Sequence, residues 1–133
     1  MSLFAWSSAY SIGVPRIDAE HQKLFSLAGQ LHEAMLAGSA REVLQSTLAN
    51  LIAYTRAHFA HEEEIMLRSR YPEYSAHKTK HDELTSKVLD FQREFAAGKV
   101  SVSIEMLGFL KNWLAHHIAG TDQLVGSYLK KTA

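Results

Sequence analysis

Histidine and acidic side chains recur at helical spacing in the middle of this sequence. His58 and Glu62 are four residues apart, and beyond a break at Pro72 the residues His77 and His81 are again four apart. Residues four apart lie on one face of a helix, with Cβ atoms about 6 Å from each other, so each pair can direct two ligand atoms at one point. Two such pairs on neighbouring antiparallel helices are one way in which a helical bundle holds metal ions.

The composition limits both the class of protein and the metal chemistry. The 133 residues suffice for one domain with a single core, and Lys+Arg equals Asp+Glu at 14, which gives no basic surface for nucleic acid. The chain has no cysteine, so any metal must be held by nitrogen and oxygen atoms. Because we find neither a targeting peptide nor an apolar run of about 20 residues, we expect a cytoplasmic protein without a membrane span.

Four amphipathic segments with short connections must position these side chains. Their apolar residues recur every three to four positions, over residues 18–37, 39–68 and 73–97 and from about 101 or 103 onward. This pattern predicts an all-α fold, an antiparallel up-down-up-down four-helix bundle over residues 18–133. Residues 1–17 contain aromatic side chains without a helical period and are predicted to form an extended N-terminal arm. We expect a single domain that spans residues 1–133.

Local signals mark the expected helix ends. Asp18 is a suitable N-cap for the first helix. Ser39 followed three residues later by Glu42 has the form of a capping box for the second helix. Pro72 suits the first turn of the third helix, because its missing N–H is not needed there.

The helix order predicts that the polar interruptions of the four apolar faces lie at one end of the bundle. These interruptions are His21 in the first helix, His58 and Glu62 in the second, His77 and His81 in the third, and His117 in the fourth. A lone histidine on an apolar face is usually an ordinary core residue. Several ionisable groups buried at one level cost several kcal/mol unless a partner absorbs their charge, so the coincidence favours a metal cluster.

Two positions in the last helix need separate consideration. The apolar row of this helix continues to His117 and not to its neighbour His116, so we assign the ligand to His117. Asp122 lies five residues further on, about 140° around an ideal helix, and a regular helix would not direct both side chains to one site. A distortion at Gly120 would permit it. The residues alone leave Asp122 open.

Two other histidines are expected to take no part. His32 lies on the flank of the first helix, away from the polar end. His61 lies on the outer face of the second helix in the run His-Glu-Glu-Glu, which is typical of a solvated, charged surface. Neither position continues an apolar face.

Taken together, these residues resemble the hemerythrin family, specifically its single-domain bacterial members, over essentially the whole chain. The matching motifs are Ile17-Asp18-Ala19-Glu20-His21, His58-Phe59-Ala60-His61-Glu62-Glu63, Tyr71-Pro72 before His77-Lys78-Thr79-Lys80-His81, and Trp113-Leu114-Ala115-His116-His117-Ile118 before Asp122. Trp6 also resembles the N-terminal tryptophan of the family.

The resemblance implies a non-haem site with two iron ions (Fe2+/Fe3+), a bridging oxo or hydroxo group, and reversible binding of dioxygen. It assigns His77, His81 and His117 to one iron and His21 and His58 to the other, with Glu62 and Asp122 as bridges. The second iron then keeps one position for dioxygen. Candidates for a dry pocket wall, which could equally be ordinary core residues, are Phe59, Trp113, Leu114 and Ile118.

The function expected from this resemblance is dioxygen storage, delivery or sensing by a monomer that is not an enzyme. The resemblance is also compatible with an unidentified partner protein that consumes oxygen. The alternative is a di-iron enzyme that acts on dioxygen, peroxide or nitric oxide. Carboxylate-rich di-iron oxidases carry Glu-x-x-His motifs, and this sequence contains none.

Overall fold

The computed structural model describes residues 4–132, and every regular element in that range is helical. The α-helices are α1 (Pro15–Leu36), α2 (Arg41–Arg68), α3 (Tyr74–Ala96), α4 (Ile104–His116) and α5 (Gln123–Thr132). A 3-10 turn, Ser8–Tyr10, precedes α1, and a π-helical turn, His117–Asp122, joins α4 to α5. Because that turn continues the helix without reversing it, α4 and α5 form one rod, and the predicted all-α four-helix bundle is confirmed.

Apolar faces of the four rods meet in one main core. Its fully buried members include Leu24, Ala28 and Leu31 from α1 and Leu107 from α4. Each large apolar side chain removed from water contributes about 1.5–3 kcal/mol. A smaller cluster of Met66, Tyr71 and Val125 packs α2 against α5. Within the described part of the chain, no helix is both long and apolar enough to cross a membrane.

The predicted N-terminal arm packs onto the bundle through its aromatic side chains. The ring centroids of Trp6 and Tyr10 lie 5.6 and 4.9 Å from that of Phe25, both edge to face. The arm ends earlier than predicted, because α1 begins at Pro15, whose fixed φ suits the first helical turn. Residues 1–3 of the predicted arm lie outside the described residues.

The prediction of Asp18 as an N-cap was wrong. Asp18 lies inside the first turn of α1, and its two carboxylate oxygens accept hydrogen bonds from the Ser11 hydroxyl (2.6 Å) and the Ile12 N–H (2.8 Å). An acidic side chain in the first turn of a helix can bind the preceding segment as well as cap the helix. Asp18 therefore fastens the arm.

Two further predictions of helix ends were also wrong. The N-cap of α2 is Ala40, whereas Ser39 follows the end of α1: its N–H donates to the carbonyl of Ala34 and closes a left-handed turn at Gly38 (φ +66°). Pro72 precedes α3 instead of lying in its first turn. The fourth helix was predicted to begin near residue 101 or 103, and Ser103 is its N-cap, since the Ser103 hydroxyl accepts the Met106 N–H at 3.1 Å.

A close backbone contact between the arm and α5 gives a first prediction. A Cβ atom on Gly126 would lie 2.3 Å from the carbonyl oxygen of Ile12. Because a carbonyl of the main chain cannot rotate away as a flexible side chain can, Gly126→Ala is expected to lower the free energy of unfolding by about 2 kcal/mol. Urea-induced unfolding, monitored by circular dichroism, measures this change in the free energy of unfolding.

The matched control for this substitution is Gly108→Ala. Gly108 lies in α4 with nothing within 4 Å of the added Cβ, so alanine should stabilise the helix by about 0.5–1 kcal/mol. A loss of stability in Gly108→Ala, or no loss in Gly126→Ala, would contradict the effect predicted from the contact between Gly126 and the Ile12 carbonyl.

Candidate metal centre

Seven buried side chains with nitrogen or oxygen ligand atoms meet between the four rods at one end of the bundle. None is more than 5% exposed: His21, His58, Glu62, His77, His81, His117 and Asp122. They form two groups whose ligand atoms all lie within 4.8 Å of one another. The first group contains Glu62, His77, His81, His117 and Asp122, and the second contains His21, His58, Glu62 and Asp122. The structure thus brings together every residue that the sequence singled out as a ligand.

The two carboxylates divide their oxygen atoms between the two groups. Oε1 of Glu62 lies 2.7 Å from His77 Nε2 and 3.3 Å from His81 Nε2, whereas Oε2 lies 3.3 Å from His58 Nε2. Asp122 does the same, with Oδ1 2.9 Å from His77 Nε2 and Oδ2 3.1 Å from the Nε2 of His21. A carboxylate so placed can bridge two metal ions.

Asp122 reaches the cluster because the last helix changes its winding. A π-helix bonds residue i to residue i+5, so residues five apart share a face, which an α-helix would prevent. His117 begins and Asp122 ends such a turn, and His117 Nε2 lies 3.1 Å from Asp122 Oδ1. Gly120 lies within this turn, so the helix is distorted there, as the sequence allowed, but not broken.

Hydrogen bonding among the ligand atoms leaves several of them without a partner. His117 Nε2 lies 3.2 and 3.1 Å from the Nε2 atoms of His77 and His81, so three nitrogens crowd one point. Among the described residues, both carboxylate oxygens of Glu62 and of Asp122 are buried without a hydrogen-bond partner, and so is Nε2 of His21. Orphaned polar atoms of this kind cost about 1–3 kcal/mol each. The donor set therefore fits a pair of cations.

Without a metal, protons must balance the two buried carboxylates. Burial alone would lower the pKa of His21, but Asp122 and Glu62 raise it to about 9. The same two carboxylates raise the pKa of His77 to about 9 against the effect of burial. Burial would raise the pKa of Glu62, but four surrounding histidines hold it well below its ordinary value. The pKa of His117 is lowered, chiefly by burial, so this side chain offers a free nitrogen lone pair.

Glu20 and Glu63, which were not singled out as site residues, support the ligands from outside. Glu20 Oε1 lies 2.7 Å from His58 Nδ1, and Glu63 Oε2 lies 2.9 Å from His81 Nδ1. Such acceptors fix the ring orientation of a histidine ligand. The only signal in the sequence was their position beside His21 and Glu62, and a charged residue in that position is usually a surface residue.

The remaining histidines differ from one another in their surroundings. His116 is exposed, with Nδ1 2.7 Å from the carbonyl of Asn112, and His32 packs edge to face on Phe4 away from the centre. His61, predicted to be solvated and to take no part, lies outside both ligand groups but is only partly exposed, and its Nδ1 lies 2.7 Å from Glu20 Oε2.

Aromatic rings cover one side of the cluster. Phe59 stacks on His81 with centroids 3.8 Å apart, and Trp113 stacks on His117 at 4.4 Å. Leu114 and Ile118 are buried in the main core. Leu114 also lines an apolar cleft of about 550 Å³ between α2, α3 and α4.

Comparison with known proteins gives a consistent result. Residues 12–129 match the family model described as the hemerythrin HHE cation binding domain. The chain is 33% identical over 130 residues to a bacteriohemerythrin of Methylococcus capsulatus, covering 97% of this chain and 98% of that one. It is 32% identical over 130 residues to one of Stenotrophomonas maltophilia, covering 98% and 84%. A crystal structure of wild-type hemerythrin superimposes with a TM-score of 0.89 at 32% identity, covering 94% of this chain and 96% of that one.

Proposed function

This chain belongs to the hemerythrin family, and we propose from its metal centre that it binds dioxygen reversibly at a pair of iron ions. The observation that carries the proposal is the division of both bridging carboxylates between two histidine groups. The ligand roles of the seven residues are part of the proposal. Imidazole nitrogen with carboxylate oxygen is a donor set that suits iron.

The unequal donor sets explain how one ion could accept a gas. The first group offers three histidines and the second offers two, while Glu62 and Asp122 belong to both. An ion held by the first group would have one more histidine ligand than an ion held by the second, which would leave the second ion with room for a small ligand. A pair of ferrous ions held by these residues would supply the electrons that reversible dioxygen binding requires. No protein acid or base is needed for this chemistry.

The surrounding side chains keep the centre dry. Phe59 and Trp113 lie flat on ligand rings, and Leu114 and Ile118 are only 2% and 1% exposed. An apolar wall excludes water and favours a small uncharged ligand such as dioxygen. We propose that these four side chains form the wall of the dioxygen pocket, in addition to their packing role.

The proposal is tested by loading the protein with Fe2+ under nitrogen, admitting air and then removing it. Two iron ions per chain and a visible absorption band that appears with air and disappears under vacuum over several cycles are expected. Irreversible oxidation with turnover of dioxygen, peroxide or nitric oxide would instead indicate a di-iron enzyme. Failure to bind two ions would overturn both readings.

A second prediction concerns Leu114, which lies three residues before His117 on the same helix. Leu114→Ala opens the apolar wall beside a ligand, so water should enter and the oxygenated form should decay at least severalfold faster. Stopped-flow absorption after mixing with air measures the decay.

The control for this prediction is Leu110→Ala, one helical turn further from the centre. Leu110 is also buried, at 6% exposure, and lines the same cleft. Both substitutions should lower the free energy of unfolding by about 2–5 kcal/mol. Equal acceleration of decay in the two variants would assign the effect to general loosening of the core.

A further inference from the structure

Glu20 lies between one histidine inside the metal centre and one at its surface. Its Oε1 is 2.7 Å from His58 Nδ1, and its Oε2 is 2.7 Å from His61 Nδ1. The side chain of His58 is 1% exposed, whereas those of Glu20 and His61 are 21% and 22% exposed. These three side chains form a continuous chain of polar contacts from the surface to the two-histidine group.

The contact with Glu20 determines which nitrogen His58 offers to a metal. A neutral imidazole carries its proton on one nitrogen and a lone pair on the other. With its Nδ1 proton donated to Glu20, His58 presents a free lone pair at Nε2, which lies 3.3 Å from Oε2 of Glu62. Without that acceptor the ring could take the other tautomer or turn over, and Nε2 would no longer be available.

Each group of ligands has one histidine with such a carboxylate acceptor. In the three-histidine group, His81 has its own acceptor, Glu63, at 2.9 Å. In the two-histidine group, Nδ1 of His21 is buried without a hydrogen-bond partner among the described residues. Glu20 therefore fixes one of only two histidines, and it does so in the group that has fewer ligands.

We propose that Glu20, held by His61, is a positioning residue that controls retention of the metal ion in the His21/His58 group. This inference rests on the proposed two-ion site. It assigns Glu63 the equivalent role for the ion of the three-histidine group. The two ions should then be separable by substituting one carboxylate or the other.

The variant Glu20→Gln tests the inference with few changes in shape. A glutamine has one carbonyl oxygen, so it cannot place an acceptor oxygen against both His58 and His61 as a carboxylate does. Protein loaded with 57Fe2+ under nitrogen is dialysed against increasing concentrations of a chelator. Wild-type protein should keep both ions to a chelator concentration at which Glu20→Gln has lost one, with about 10–100-fold weaker retention of that ion.

Mössbauer spectra identify which ion is lost. If Glu20 only stabilised the fold, the spectra would not show selective loss of one ion. Glu20→Gln and Glu63→Gln should each keep one iron signal, and the two remaining signals should differ. Glu64→Gln changes an exposed side chain in α2, the helix that carries Glu63, and this variant should keep both iron signals. Thermal unfolding of the metal-free proteins checks that each variant folds.

A second variant, His61→Ala, tests the outer member of the chain. It should hold two ions before dialysis but release one of them several times faster than wild type, and the ion lost should be the one that Glu20→Gln loses. Wild-type retention in both variants, or equal loss of both ions, would overturn the role of Glu20. A wild-type protein that holds fewer than two ions would instead overturn the proposed function, and this inference with it.

Discussion

Replacing Glu62 with alanine is expected to reduce the iron content of anaerobically loaded protein from two ions per chain to less than one. Oε1 of Glu62 lies 2.7 Å from His77 Nε2 in one group and Oε2 lies 3.3 Å from His58 Nε2 in the other, so the change removes a donor from both. Loss of a direct ligand should exceed the 10–100-fold effect typical of a supporting residue. Elemental analysis of the desalted protein gives the ratio.

Asp122→Ala should act in the same direction, because Asp122 also presents one oxygen to each group. The matched control is Glu64→Ala, two residues beyond Glu62 in α2, where the side chain is exposed and paired with Arg68. His61→Ala should likewise keep both ions when no chelator competes. Equal iron loss from all four variants would show that the inward face of α2 has been wrongly assigned.

The fold was predictable because helical periodicity and short connections nearly determine an up-down bundle. The positions of His21 and His77 near helix starts, and of His58 near a helix end, then sufficed to predict convergence at one end. The helix ends were predicted less well, since a side chain such as Asp18 can cap its own helix or bind the preceding arm, and the tertiary contact with Ser11 decided between these.

Two features of the centre lay beyond sequence reasoning from the residues. The π-helical turn adds one residue to a helical turn, and only a buried target for Asp122 makes that insertion favourable. Glu20 lies in α1, 38 residues before His58, and from the sequence alone it had the character of an ordinary charged surface residue. Contacts made across helices by half-buried side chains leave no periodic signal along the chain.

The metal-free protein is expected to lose stability as pH rises from about 6.5 to about 9. His21 and His77 have pKa values of about 9 in the folded protein against an ordinary 6.5. Their contribution to the free energy of unfolding is therefore complete below pH 6.5 and disappears as pH passes 9. Glu62 and Asp122 have lowered pKa values and contribute above their ordinary 4.5 and 3.8, so their contribution is constant over this interval. The expected loss is of the order of a few kcal/mol.

The lowered pKa of His117 acts at the other end of the pH range. Burial favours the neutral form of His117 in the folded protein. The contribution of His117 to the free energy of unfolding is therefore present above pH 6.5, and it falls below that value as the unfolded chain takes up a proton. Together with the carboxylates, this should place the maximum stability of the metal-free protein near pH 6. Melting temperatures from circular dichroism at pH 5 to 9, after removal of metal by a chelator, measure the curve.

Iron should reverse the alkaline part of this dependence. Metal ligands must be deprotonated, so two cations take over the role of the protons on His21 and His77, and binding strengthens as pH rises. With free metal at 1,000 times its dissociation constant, the gain is about 4 kcal/mol for one ion. The difference in melting temperature between iron-loaded and metal-free protein should therefore widen from pH 6.5 to 9.

Glu62→Gln removes one of the two carboxylate charges, those of Asp122 and Glu62, that raise both histidine pKa values, so its metal-free form should have a flatter curve over the same interval. An unchanged slope in that variant would show that other groups produce the pH dependence.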